Sequence, residues 1–342
     1  LESPDELPDI YYIILDGYPR ADILRNTFGF DNSEFISWLE KEGFYVAVCS
    51  QSNYSYTAPS MAATFNLRYL GSKERPNSIA YSENQVNAML QNSLVQKTVT
   101  QLGYKTVIFE TEYDWLKWSD PDIVYSLDTD ASIKHLFFSK INGFEILLLK
   151  TTFASVIIDR IDFEAKLDES IRQSHQREIV YTLEKLLAIP KTVESPKFVY
   201  AHIVSPHPPF IFGADGRLLV NEPKTPFIGY RDQVSFLNSY IQEFVSTVFV
   251  EAEKPPIIII QGDHGAALDY KSLNINPEEK IAILNAYHFP DLDENKLYSE
   301  ISPVNTFRLI FRDYFSQDYD LLNDLSIYGG ESPYLRLPCP QE

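Results

Sequence analysis

Basic charge is scarce in this chain: 29 Lys and Arg stand against 48 Asp and Glu, a net charge of −19 at pH 7. A surface so poor in cations argues against nucleic acid as a partner, because phosphate backbones are held by Lys/Arg-rich faces. It also argues against electrostatic adhesion to an anionic membrane. It leaves room for a phosphate-ester substrate, provided a bound metal cation supplies local positive charge. Cysteine is nearly missing as well. The two present, Cys49 and Cys339, form no zinc motif and leave one disulfide or two free thiols open. No stretch of the residues given reads as a signal peptide or as an apolar run of about 18 residues, which says little about targeting. Nor is there a GxxxxGK[ST] loop, a GxGxxG turn, an HExxH helix or a GxSxG elbow, which removes the P-loop, dinucleotide, zincin and serine-hydrolase readings.

What is present reads as a globular enzyme-sized chain. Its 342 residues suit one large α/β domain or two smaller ones. Hydrophobic residues at 44% and charged residues at 23% are ordinary. Aromatics are plentiful, 22 Tyr and 22 Phe, and supply core filling together with polar tips for a cleft.

The apolar runs set the order of elements. Ile10–Asp16 (IYYIILD) and Pro256–Gly262 (PIIIIQG) are continuous apolar strands of the kind buried on both faces. Phe44–Cys49, Lys105–Glu110, Lys197–Val204 and Ile281–Tyr287 read as further strands. Helices are expected over Arg20–Thr27, from Asp31-Asn32-Ser33 to Lys41 before Gly43, from Thr57, over Ser93–Leu102, Asp168–Ala188, Tyr230–Phe249 and Val304–Tyr314. Residues 71–88 read as a loop and 111–131 as irregular. Residues 134–161 are apolar with scattered charges, which suits one or two buried helices, or else a lid or membrane-facing helix hairpin. The Pro- and Gly-rich tail from Ser326 is expected to wrap the surface. Strands alternating with helices predict an α/β fold, a mostly parallel central sheet flanked by helices on both faces.

In such sheets ligands bind beyond the carboxyl ends of the strands. Asp16, His207 and the pair Asp263-His264 each stand at or just after a strand end, and Thr57 opens a helix after a strand. Carboxylates and an imidazole are good ligands for Zn²⁺ or Mn²⁺. Alone, each is equally suited to a cap or a turn, and Thr57 to an ordinary N-cap; it is their convergence on one edge that points to chemistry. A Thr hydroxyl is a weak nucleophile that a metal can activate. His207, in the proline-fixed loop SPHPPF, is placed to bind a phosphate oxygen or protonate a leaving alcohol. His202 lies inside its strand and reads as a core histidine, while His135, His175 and His288 have no motif around them.

The ordered segments DGYPRAD, SNYSYTAPSMAATFN, SPHPPF and GDHG resemble the alkaline phosphatase superfamily in its sulfatase-like branch. The resemblance spans roughly residues 9–290. It is nearest to the membrane-anchored phosphoglycerol and phosphoethanolamine transferases and lipoteichoic acid synthases. It implies one divalent metal (Mn, Mg or Zn) on Asp16, Thr57, Asp263 and His264, with a second ion open. It implies Thr57 as nucleophile through a phosphothreonine intermediate, and His207, with Asn53 and Arg20, toward the substrate. Thr57-Ala58-Pro59-Ser60-Met61 departs from the sulfatase C/S-x-P-S-R segment; Thr cannot form formylglycine, so sulfate cleavage by that route is not expected.

The expected organisation is a linker at 1–8 leading from a membrane region outside this sequence, a catalytic domain at 9–316 and a packing tail at 317–342. The resemblance implies an extracytoplasmic domain acting on a phospholipid or another phosphate ester. Three functions remain open: head-group transferase, phosphodiesterase or phosphatase with water as acceptor, and a non-catalytic binding domain.

Overall fold

The computed structural model describes residues 7–71, 81–127, 162–221, 223–266, 268, 276–327 and 338–339. The expected helices or lid at 134–161 and most of the expected tail lie outside them.

Seven strands form one sheet in the order β2-β7-β6-β1-β5-β3-β4. They are β1 (Ile10–Leu15), β2 (Tyr45–Val46), β3 (Lys105–Phe109), β4 (Ile123–Tyr125), β5 (Lys197–Ile203), β6 (Ile257–Gly262) and β7 (Asn285–His288). The central strands β6, β1, β5, β3 and β4 run parallel, whereas β7 is antiparallel to β6 and β2 antiparallel to β7. The sheet is therefore mixed at one edge and parallel through its middle. The helices are α1 (Ala21–Asn26), α2 (Ser33–Lys41), α3 (Thr57–Phe65), α4 (Glu83–Gln91), α5 (Leu94–Gln101), α6 (Asp162–Thr192), α7 (Pro226–Glu251) and α8 (Pro303–Phe315).

Strand alternation sorts the core into two layers. Tyr11, Ile13 and Leu15 of β1 with Ile258 and Ile260 of β6 pack against α1, α2, α6 and α7. Ile10, Tyr12 and Ile14 with Ile257 and Ile259 pack against α3, α4, α5 and α8. Because side chains alternate with period two, a strand apolar at every position is covered on both faces. At the amino ends of β1 and β5, Lys197 Nζ lies 2.6 Å from Asp9 Oδ2 and the Lys197 N–H donates to Asp9 Oδ1 at 3.0 Å. This buried ion pair fixes the strand register at the edge opposite the candidate site.

Three expectations need correction. The predicted loop at 71–88 contains the start of α4, whose Ser82 and Gln85 form a capping box. The irregular stretch after β3 contains β4, held to Thr106 by the Asp122 carboxylate. The strand expected at 281–287 begins only at Asn285, after a short 3-10 helix at Pro277–Ile281. Cys49 and Cys339 form a disulfide.

Candidate active site

Asp16 closes β1 with a buried side chain, and Gly17 follows at φ 75°, a left-handed turn that suits glycine. The turn aims the Gly17 N–H at Asp263 Oδ1, 2.9 Å away. Asp263 and His264 follow β6, the neighbouring parallel strand. Gly265 then passes so close to the next segment that a Cβ would lie 2.2 Å from the Glu279 carbonyl oxygen. Its N–H donates to the Lys280 carbonyl at 2.6 Å. No residue with a side chain fits that crossing, so the Asp-His-Gly order is fixed by packing.

Thr57 is the first residue of α3, and the cap position belongs to Tyr56. The Thr57 hydroxyl is thus not spent on capping. It lies 3.2 Å from His264 Nε2 in a half-buried position. Ser60, one turn on, donates to the Asp263 carbonyl at 2.6 Å, tying α3 to the end of β6.

The donor atoms face one another in a specific way. The carboxylate oxygens Asp16 Oδ2 and Asp263 Oδ1 are taken by His202 Nε2 at 3.3 Å and by Gly17 N–H. The sister oxygens, Asp16 Oδ1 and Asp263 Oδ2, are buried without a hydrogen-bond partner. Both point at His264 Nε2, at 3.6 and 3.5 Å. His264 Nδ1 lies 2.6 Å from the Gly265 carbonyl oxygen, an acceptor only, so Nδ1 carries the proton and Nε2 the lone pair. Three electron-rich atoms thus converge within 4.8 Å of one another. Such a cluster is costly unless a cation lies between its members, and the O/O/N set fits a divalent metal. Among the described residues this is the one group that meets that geometry.

Burial pushes the Asp16 carboxyl up, but the His202 hydrogen bond and the fields of His202, His264 and His207 outweigh it and hold it at about 2. The carboxylate is therefore fully ionised at neutral pH. His207 stands beside the group: its backbone N–H donates to the Asp16 carbonyl at 3.1 Å, and its Nδ1 donates to the Pro208 carbonyl at 2.6 Å, so Nε2 is the ring nitrogen this contact does not use. Gln233 of α7 holds the loop through the Pro206 carbonyl.

The two candidate substrate contacts stand apart from this set. The Asn53 amide donates to Tyr69, Ser302 and Leu325 and accepts from the Val304 N–H, so its polar atoms bind α8 and the following segment. Arg20 is buried in a forked pair with Asp22, at 2.6 and 2.9 Å, and reaches the Pro338 carbonyl near the disulfide. His288 lies at the far end of β6, donating to the Pro256 carbonyl.

Sequence reasoning missed two contributors. His202 is tied on one side to Asp16 and on the other to the Tyr200 hydroxyl at 3.3 Å; a lone polar residue near the carboxyl end of an apolar strand was the available signal. Lys280 lies 4.1 Å over the Tyr56 ring. Burial lowers its pKa while the fields of Asp263 and Asp16 raise it, so it sits in the electrostatic reach of the site. Nothing in the sequence around it marks that position.

Comparison with known proteins follows the same lines. The family model described as Sulfatase matches residues 8–298. No curated protein sequence matches the chain. Among solved structures, the C-terminal periplasmic domain of EcEptC from Escherichia coli in complex with Zn is similar at TM-score 0.55 and 10% identity, over 91% of this chain and 83% of that one. The C-terminal periplasmic domain of the phosphoethanolamine transferase EptC from Campylobacter jejuni gives 0.54 and 12%, over 92% and 91%. The lipoteichoic acid synthase LtaP from Listeria monocytogenes gives 0.53 and 14%, over 89% and 71%. At such identities the likeness is one of fold.

Proposed function

Since the chain belongs to the Sulfatase family, within the alkaline phosphatase superfamily, we propose that it is a metal-dependent phosphotransferase that moves a phosphate-linked head group through a phosphothreonine at Thr57. The observation that carries this reading is the convergence of two unpartnered buried carboxylate oxygens and the bare His264 Nε2 beside the Thr57 hydroxyl.

Asp16, Asp263, His264 and the Thr57 oxygen would hold the metal, which supplies Lewis-acid stabilisation of an alkoxide and of phosphoryl oxygens. Thr57 Oγ1, at the first turn of α3, attacks phosphorus as the alkoxide, its proton having gone to solvent; the new P–O bond forms as the bond to the leaving alcohol oxygen breaks. His207, when it carries a proton on Nε2 as well as the Nδ1 proton held by the Pro208 carbonyl, gives the Nε2 proton to the leaving oxygen. The backbone N–H groups at the start of α3 favour the phosphoryl anion. In the second half, an acceptor alcohol gives its proton back to His207 and displaces Thr57 from phosphorus.

The reading places the catalytic unit at 9–316, with 1–8 as linker and 317–342 as tail. The unit would work on a phospholipid or related ester at the extracytoplasmic face of a membrane. The disulfide supports an oxidising compartment, as does the periplasmic setting printed for the similar EptC domains. No helix among the described residues is long and apolar enough to cross a membrane.

The test is incubation with head-group-labelled phospholipid, with and without acceptor alcohols, followed by intact-mass analysis. A covalent adduct on Thr57 and acceptor-dependent product are expected; only free head group would make the enzyme a hydrolase. Thr57→Ala is expected to lower turnover by about 10,000-fold or more, and unchanged turnover would overturn the proposal.

A further inference from the structure

A cation stands beside the metal-ligand cluster and takes no part in the chemistry above. Lys280 lies in the short 3-10 helix Pro277–Ile281 and is half-buried. Its carbonyl accepts the Gly265 N–H at 2.6 Å, which pins its backbone to the turn that carries Asp263 and His264. Its side chain ends at the cap of α3. There Nζ rests 4.1 Å from the centre of the Tyr56 ring, and Tyr56 immediately precedes Thr57. Lys280 thus joins the same two segments that meet where His264 Nε2 and Thr57 Oγ1 lie 3.2 Å apart. The charges of Asp263 and Asp16 both act on its ammonium. Neither carboxylate is spent on it, because their unpartnered oxygens face His264 instead.

The ammonium is held loosely where it stands. Tyr56 is 60% exposed, and a cation gains little from a ring that water also reaches. A charge-assisted hydrogen bond to an anion is stronger. The reaction creates the need for such a bond. Two carboxylates and one divalent ion balance in charge, so a Thr57 alkoxide and an arriving phosphoryl anion bring negative charge that this set does not offset. The amino end of α3 offers few donors. Pro59 has no N–H and the Ser60 N–H is spent on the Tyr56 carbonyl at 3.1 Å, which leaves those of Thr57 and Ala58. Arg20, the cation of the turn after β1, is already taken by Asp22 and the Pro338 carbonyl.

We infer that Lys280 is a phosphoryl-binding residue of this site: its ammonium leaves the Tyr56 ring when substrate arrives and donates to a non-bridging oxygen of the group that Thr57 attacks. The four-carbon stem with its rotatable donors suits such a move, while the backbone bond to Gly265 keeps its root fixed beside the cluster. No covalent bond to Lys280 forms or breaks, and it carries the same protons before and after the transfer. The inference rests on the phosphotransferase reading and adds a residue to its site.

The full chain, loaded with Mn²⁺, is titrated calorimetrically with inorganic phosphate, and its Mn²⁺ affinity is measured separately by chelator competition. Lys280→Met is expected to weaken phosphate binding by about 10- to 100-fold and to leave Mn²⁺ affinity unchanged. Lys280→Arg, which keeps the charge and the donors, should bind phosphate within about threefold of wild type. Tyr56→Leu, which removes the ring but not the ammonium, should do the same. Lys280→Gln repeats the measurement if the Met variant unfolds at a lower urea concentration than wild type. Phosphate binding by Lys280→Met or Lys280→Gln equal to that of wild type overturns the inference while leaving the phosphate site intact. A loss in Tyr56→Leu as large as that in Lys280→Met assigns the effect to packing at the cap of α3 and overturns it too. So does a fall in Mn²⁺ affinity that matches the fall in phosphate affinity, because the lysine would then act on the ligand set. Failure of the Mn²⁺-loaded wild type to bind phosphate at all overturns the phosphotransferase reading as well.

Discussion

Replacing His202 with Ala tests the logic of the site without touching a proposed ligand or the nucleophile. In the native arrangement the imidazole donates to Asp16 Oδ2 at 3.3 Å, leaving Oδ1 to face the cluster. Without it, both oxygens of a fully buried carboxylate lack a donor, which costs about 1–3 kcal/mol in the metal-free protein. The pH dependence follows from the sign of the shift. The folded Asp16 carboxyl is held at about 2 against a usual 3.8. A depressed carboxylate contributes stability that is present above its unfolded pKa and is lost as pH falls toward the folded value. For Asp16 this is on the order of 2 kcal/mol, fading from about pH 5 downward. His202→Ala shrinks that contribution, so urea unfolding of the metal-free variant should depend less on pH between 5 and 3 than the wild type does. Loss of the orienting partner should also weaken metal binding by about 10–100-fold in a chelator competition. If the variant binds metal as tightly as wild type and keeps the wild-type acid profile, the argument that His202 sets which Asp16 oxygen is available is wrong.

His207→Asn should lower turnover by about 100- to 10,000-fold while metal affinity stays near wild type; activity assays paired with metal titration check this, and a large loss of metal would move His207 into the ligand set. Gly265→Ala forces a Cβ to 2.2 Å from the Glu279 carbonyl, and should cost about 1–3 kcal/mol in chemical unfolding, together with a weaker metal site. Cys49→Ser should lower the stability of the oxidised chain by about 2–4 kcal/mol; in the presence of reductant, variant and wild type should unfold alike.

The parts of this architecture that local pattern determines were legible. Continuous apolar runs marked β1 and β6, and an Asp at or just after the end of each placed two carboxylates on one edge, since parallel strands share their carboxyl ends. The start of α3 at Thr57 was visible in the change from polar loop to small apolar residues. The short edge strand β4 and the delayed start of β7 were not, because three- and four-residue strands carry too little periodicity against their neighbours. Side-chain roles set by distant partners were the least legible. Asn53 sits within a site motif, yet its bonding is decided by residues 69, 302, 304 and 325, while Arg20 is held first by Asp22, two residues on. His202 carries no local motif. Its meaning comes from Asp16, 186 residues away.

The sulfur bridge between residues 290 positions apart decides how the chain would carry load. A load entering the chain ahead of β1 would run through β1 to Cys49 and cross to Cys339. β1 and Asp16 lie on that stretched path. Thr57, the Asp263-His264 pair and the described helices from α3 onward hang from it as a closed loop, so such a load would strain one carboxylate against its partners before it reached the nucleophile.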